Sequence, residues 1–289
     1  MNETVPAQPA PAANPFSLAT ALSDAFTYVL AGFQNFFRLS WKFLLFVVVA
    51  AALFFVAIGV LARSGNELGV YGVSGCALLL GVLVSVAYYI VIARNWLLGE
   101  TAPRFLPVYP AFLLRVIVLT LLLLAVMAAI FGPVLVAGFA GLEYFDDGKS
   151  ELSTAIVVLA VIVLIVVAII AVVAGIYIAG RLMPWMVAAA IEKPQTLGEA
   201  WGTTKGAGLR IMAGMLGLTI LFMIVDTTIE AALSPLLGIK SDAFENIATG
   251  SVSLPALFVL LLSKILIYFP QTAASMVYCA SVYRQTSGR

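Results

Sequence analysis

Six long apolar runs dominate the chain, at about 43–61, 74–92, 111–136, 152–180, 211–232 and 254–282. Each reaches the roughly 20 residues that an α-helix needs to cross about 30 Å of hydrocarbon. Hydrocarbon offers backbone N–H and C=O groups no water, so the runs are predicted to be helices. The fourth and sixth exceed that length and are expected to tilt or to extend beyond the core. Pro133 and Pro270 fall inside long runs, where a missing N–H predicts kinks. Pro184 marks a predicted exit or bend of the fourth helix.

Residues 17–37 carry a different pattern. Leu22, Phe26, Val29, Leu30, Phe33, Phe36 and Phe37 follow the i, i+4, i+7, i+8, i+11 spacing of one helical face, and Ser23, Asp24, Thr27, Gln34 and Asn35 lie largely opposite. The segment is expected to be an amphipathic helix. It either lies on the membrane surface, aromatic face down, or packs against the spans. Residues 1–16 are rich in Pro and Ala and are expected to form a disordered tail. Residues 17–289 then form a single six-span domain.

The longest polar interruption runs from Arg181 to Arg210. Thr196 and Glu199 match a capping box, and Leu197, Ala200, Trp201 and Thr204 follow on one face. Gly206 and Gly208 would end this short helix before Arg210 anchors the next span. Arg181, Pro184, Trp185, Thr196, Glu199, Trp201, Lys205 and Arg210 mark an interfacial segment, expected on the cytoplasmic side. It reads as an architectural or docking surface. Thr203, Thr204 and Lys205 sit among glycines, but their spacing fails the Walker pattern.

A repeat is visible across these segments. Leu22-Ser-Asp-Ala-Phe26 and Leu197-Gly-Glu-Ala-Trp201 share one pattern: leucine, small residue, acid, alanine, aromatic. Tyr89 and Arg94, Tyr177 and Arg181, and Tyr278 and Arg284 each put a tyrosine about a turn before an arginine. The expected plan is three parallel units, each an inner surface segment followed by a membrane hairpin. The middle unit is the most degenerate, with Pro103, Pro107 and Pro110 in its inner segment.

Composition fixes the class. Hydrophobic residues make up 63% and charged residues 10%, against about 25% charged in soluble domains. With a mean hydropathy of +1.12, the chain is expected to be an all-α integral membrane protein. A net charge of +1 gives no bulk attraction for nucleic acid. Histidine is absent, which removes the commonest metal ligand and near-neutral proton carrier. Cys76 and Cys279 sit in apolar runs and read as small hydrophobes. No metal or cofactor is expected.

The basic residues set an orientation. Arg38, Lys42, Arg94, Arg104, Arg115, Arg181, Lys193, Lys205, Arg210, Arg284 and Arg289 flank one side of the spans; Arg63, Lys149 and Lys240 flank the other. The positive-inside rule then predicts cytoplasmic termini. Asp146 to Glu151 is acidic but lacks the alternating ligands of a calcium loop.

Three charges fall inside spans. Asp226 and Glu230 lie one turn apart on the fifth run, and Lys264 lies about ten residues into the sixth. Ionisable groups in lipid are costly and placed for a reason. A pair between Asp226 and Lys264 is expected, with Glu230 at the headgroups. Its use is a clasp between two spans or an ion or proton site. Small residues four apart at Ala77/Gly81, Ala137/Gly141, Gly175/Ala179 and Ala213/Gly217 are expected to permit close helix approach.

Arg181-Leu-Met-Pro, Glu192, the stretch from Thr196 to Trp201, Lys205-Gly206, and Ala280-Ser-Val-Tyr-Arg284 resemble a known family. It is the multi-span membrane domain associated with some bacterial glycerophosphodiester phosphodiesterases, together with its stand-alone, uncharacterised relatives. The catalytic domain of those proteins is not represented here, so the resemblance carries over no activity. It implies a bacterial inner-membrane protein with an accessory role. The expected function is therefore a non-catalytic scaffold, lipid-organising protein or accessory subunit, not an enzyme. Its expected partners are membrane lipids, other membrane proteins or a second copy. The alternative is a small-solute transporter.

Overall fold

A computed structural model describes residues 16–143, 150–237 and 254–287. The tail, most of the acidic 146–151 stretch and residues 238–253 lie outside them, as do the readings made there. Among the described residues the fold is all helical. Six helices are long and apolar enough to cross a membrane.

Helix α1 (Leu18–Phe26) begins at Ser17, whose hydroxyl accepts from the Thr20 N–H at 3.3 Å. A π-helical turn, Thr27–Ala31, follows. The chain then breaks at Gly32, where a Cβ would lie 2.7 Å from the Tyr28 carbonyl oxygen. Helix α2 (Phe33–Arg63) starts immediately afterwards. The expected single helix over 17–37 is thus two elements, and Phe33 to Lys42 belong to the first long helix. The predicted face divides: Val29 and Phe36 are buried and Leu22 and Phe26 pack against the core, whereas Leu30, Phe33 and Phe37 are exposed. Ala21 and Ala25, also buried, let α1 pack closely on the last helix.

A tight turn containing Gly65 (φ +70°) and Asn66 leads to α3 (Glu67–Leu98). The Asn66 side chain caps α3 at Gly69 N, 2.9 Å away, and Gly99 (φ +69°) ends it. Helices α4 (Tyr109–Glu143) and α5 (Ser150–Ala190) form the second long pair. The short helix α6 (Leu197–Thr203) leads to α7 (Gly208–Leu236), and α8 (Leu254–Thr286) ends the fold.

Helix α5 does not stop at Pro184; it runs six residues further, to Ala190. Proline removes one N–H and crowds the preceding turn. Here Leu182, Val187, Ala188 and Ala190 around it are almost wholly buried. Their packing carries the helix through.

The second helix of each long pair meets the other two, although residues 158–173 of α5 stay largely exposed. Helices α3, α5 and α8 touch one another, with α2, α4 and α7 paired to them in turn. The core is concentrated at one end, where residues 273–283 of α8 are almost all buried. We call it the collar end. It gathers α1, the 99–108 segment, the close of α5, α6, the start of α7 and the close of α8. Elsewhere the helices expose Leu, Val and Ile along their length, as lipid-facing surfaces do.

Close approach falls at other glycines than expected. Gly81, Gly175 and Gly217 have open space where a Cβ would sit. Crowded ones include Gly208, where a Cβ would lie 2.7 Å from the Tyr177 ring, Gly214, where it would run into Tyr278 and Leu18, and Gly180, where it would lie 3.1 Å from Ile211. Spacing of four identifies a small stripe but not the side it faces. The pair Ala137/Gly141 falls outside the residues whose side chains are described.

Candidate functional site

The collar end holds most of the chain's buried polarity. Three arginines organise it, one from each of α3, α5 and α8. Arg94 of α3 grips Glu100 in the following segment, with Nη2 2.7 Å from Oε1 and Nε 3.0 Å from Oε2. Its Nη1 also reaches Glu192 Oε1 at 2.7 Å and the Ala190 carbonyl at 3.2 Å. This forked pairing is the strong form of an arginine–carboxylate contact. The Arg94 guanidinium beside it holds the Glu100 carboxyl below the usual range.

Arg181 of α5 grips α6. Its guanidinium donates to the Trp201 carbonyl and, at 3.2 Å, to Thr204 Oγ1. Its Cζ lies 3.7 Å from the centroid of the Trp201 ring, a cation–π contact in a desolvated place. The Thr204 hydroxyl faces the carbonyls of Ala200 at 2.9 Å and Arg181 at 3.3 Å. Helix α6 itself is held by the full capping box of Thr196 and Glu199.

Arg284 of α8 grips α1. Its Nη2 lies 3.0 Å from Asp24 Oδ2, which also accepts from the Ser281 hydroxyl at 2.6 Å. Its Cζ sits 4.3 Å from the Trp96 ring centroid. Ser17 N–H donates to Gln285 Oε1 at 2.8 Å, and Arg210 reaches the Phe16 carbonyl at 3.4 Å. Asn95 closes the seam: its Oδ1 accepts from Tyr28 and Asn35, and its Nδ2 donates to the Glu100 carbonyl. Burial pushes the Tyr28 phenol up, so it stays a neutral donor.

Each of these arginines therefore clasps the short segment that opens the next unit. The last clasps the first, which closes the set into a ring. Ala25 and Ala200, the alanines of the shared pattern, are both 0% exposed; they occupy equivalent packed positions. Among the residues singled out by sequence, Arg181, Thr196, Glu199, Trp201 and Arg210 meet here. Pro184 and Trp185 lie within α5, where the Trp185 carbonyl accepts from Arg115, whose Cζ is 5.1 Å from the Trp185 ring centroid. Lys205 is exposed.

The intramembrane charges form a separate group. Lys264 Nζ lies 2.8 Å from Asp226 Oδ2 and 2.5 Å from Glu230 Oε2. The lysine thus bridges both carboxylates, and Glu230 joins the pair instead of standing apart. One turn separates the two acids, so one flexible ammonium spans both.

A cavity of about 680 Å³ lies beside α3, α5 and α8, below the collar. Small-molecule sites span about 300–1,000 Å³. Phe112, Val187, Tyr88 and Tyr278 form its buried floor; Leu78, Val82 and Tyr268 are exposed at its mouth. Its few polar groups are hydroxyls. Sequence reasoning missed this cavity, as well as Asn95 and Glu100; it placed Thr204 on the face of the capped helix but not its bonds to Arg181. A polar residue directly after Arg94 was the only signal for Asn95.

Comparison with family models, curated proteins and solved structures gives no match. Nothing in it links the chain to the phosphodiesterase-associated membrane domains.

Proposed function

We propose that this chain is a non-catalytic, lipid-engaging scaffold or accessory subunit of the bacterial inner membrane. The observation that carries this reading is the ring of three arginine clasps. It commits these arginines to holding the short connecting segments onto the bundle, leaving an apolar cavity and lipid-facing walls as the surfaces offered to partners. The positive-inside distribution supports a cytoplasmic collar with both termini on that side. In that placement α1 and α6 lie at the inner interface, where Trp201 and Trp185 suit the headgroup level. The resemblance at Arg181-Leu-Met-Pro and at Thr196 to Trp201 agrees with an accessory role.

Purification of the full chain from its membrane in mild detergent tests the reading, with mass spectrometry of what travels with it. A fixed complement of phospholipid, or a stoichiometric membrane partner, is expected. A lone monomer free of lipid and stabilised by a water-soluble solute would favour transport instead.

A further inference from the structure

The cavity below the collar has two features that choose its occupant. Its mouth, at Leu78 and Val82, lies along the membrane-spanning part of α3, so it opens toward hydrocarbon. Four methionines line it, and their flexible, polarizable side chains adapt to an irregular apolar chain. Within this lining, Tyr89 and Ser275 present hydroxyls with no hydrogen-bond partner among the described residues. By contrast, Ser85 and Tyr268 are paired with each other at 2.7 Å. Neither hydroxyl oxygen is sealed off by protein, so a guest in the cavity can reach both.

We propose that this cavity binds one acyl chain of a membrane glycerophospholipid, whose ester carbonyl accepts a hydrogen bond from Tyr89. The chain enters sideways between α3 and α7. Ser275 offers a second donor at the same wall. The proposal rests on the lipid-engaging reading above and gives it a place. A water-soluble solute would find no charged anchor in the lining; a lipid tail with one buried oxygen matches both its extent and its polarity.

The test uses the full chain in phosphatidylcholine nanodiscs containing phosphatidylcholine spin-labelled near the end of one chain. Electron paramagnetic resonance then counts motionally restricted chains per protein. Gly81→Phe directs a ring into open space at the cavity wall; it is expected to remove one restricted chain relative to wild type. Tyr89→Phe keeps the shape and is expected to weaken retention about fivefold, the effect of one lost hydrogen bond. Equal counts in wild type and Gly81→Phe, with unchanged retention in Tyr89→Phe, would overturn the proposal. So would restriction of spin-labelled stearic acid without restriction of the phospholipid. If equal counts occur while purified protein still carries fixed lipid, only the cavity assignment falls; if no lipid is retained at all, the broader reading falls with it.

Discussion

Arg181 is 8% exposed, and among the described residues no carboxylate pairs with it. Its partners are the Trp201 carbonyl, the Thr204 and Tyr177 hydroxyls, and the Trp201 ring. Only a planar fork donates to two acceptors and faces a ring at once, so a lysine is not an equivalent. Arg181→Lys is expected to lower stability by about 1–2 kcal/mol, read as an earlier thermal midpoint in detergent; an unchanged midpoint would show the fork to be idle. Glu100 makes a prediction with a definite sign. Its carboxyl is held low by Arg94, so its contribution is present above the ordinary carboxylate value of about 4.3 and is lost as pH falls through its depressed value. Wild type should therefore lose thermal stability on acidification below about pH 4 by more than Glu100→Gln does. Parallel losses would contradict the clasp. Sequence indicated Arg181, Trp201 and the capping box because each has a local signature. Thr204 was placed on the face of that helix without its partners, and Asn95 had no signature. Their bonds depend on which elements meet, and sequence periodicity does not report that.

Helix α7 is the element on which two contacts are decided. At Gly214 it approaches both Tyr278 and Leu18, with no room for a methyl group. Gly214→Ala should cost about 1–3 kcal/mol through overpacking, while Gly217→Ala, in open space one turn along, should cost little. Equal effects in thermal melts would refute this contact. Further along, Asp226 and Glu230 share Lys264. Lys264→Met leaves two carboxylates without their cation and should lower the thermal midpoint, whereas adding Asp226→Leu and Glu230→Gln should recover it. A single mutant as stable as wild type would rule out a structural clasp. The six long helices were legible because apolar length is a strong signal in a membrane protein. Their ends were not. At Pro184 the helix survives because its neighbours are buried, a tertiary fact that overrides local propensity. At Gly32 the backbone leaves the helical region (φ −87°, ψ 19°), and an isolated glycine does not say in sequence whether a helix will stop there.

At the scale of the molecule, three hairpins meet through α3, α5 and α8 and are tied by one arginine each. The repeated leucine–acid–alanine–aromatic pattern anticipated two of the three units. The third was obscured by its prolines, although Glu100 takes the place that Asp24 holds in the first. The cavity was invisible in sequence, since its wall is assembled from side chains of six helices. The account as a whole requires lipid to be part of the folded protein. Stepwise delipidation of the purified chain, followed by thermal unfolding, tests this most directly. The account predicts a falling midpoint as the last bound phospholipid leaves, restored by added phospholipid and not by water-soluble solutes. A midpoint indifferent to lipid but raised by such a solute would contradict it.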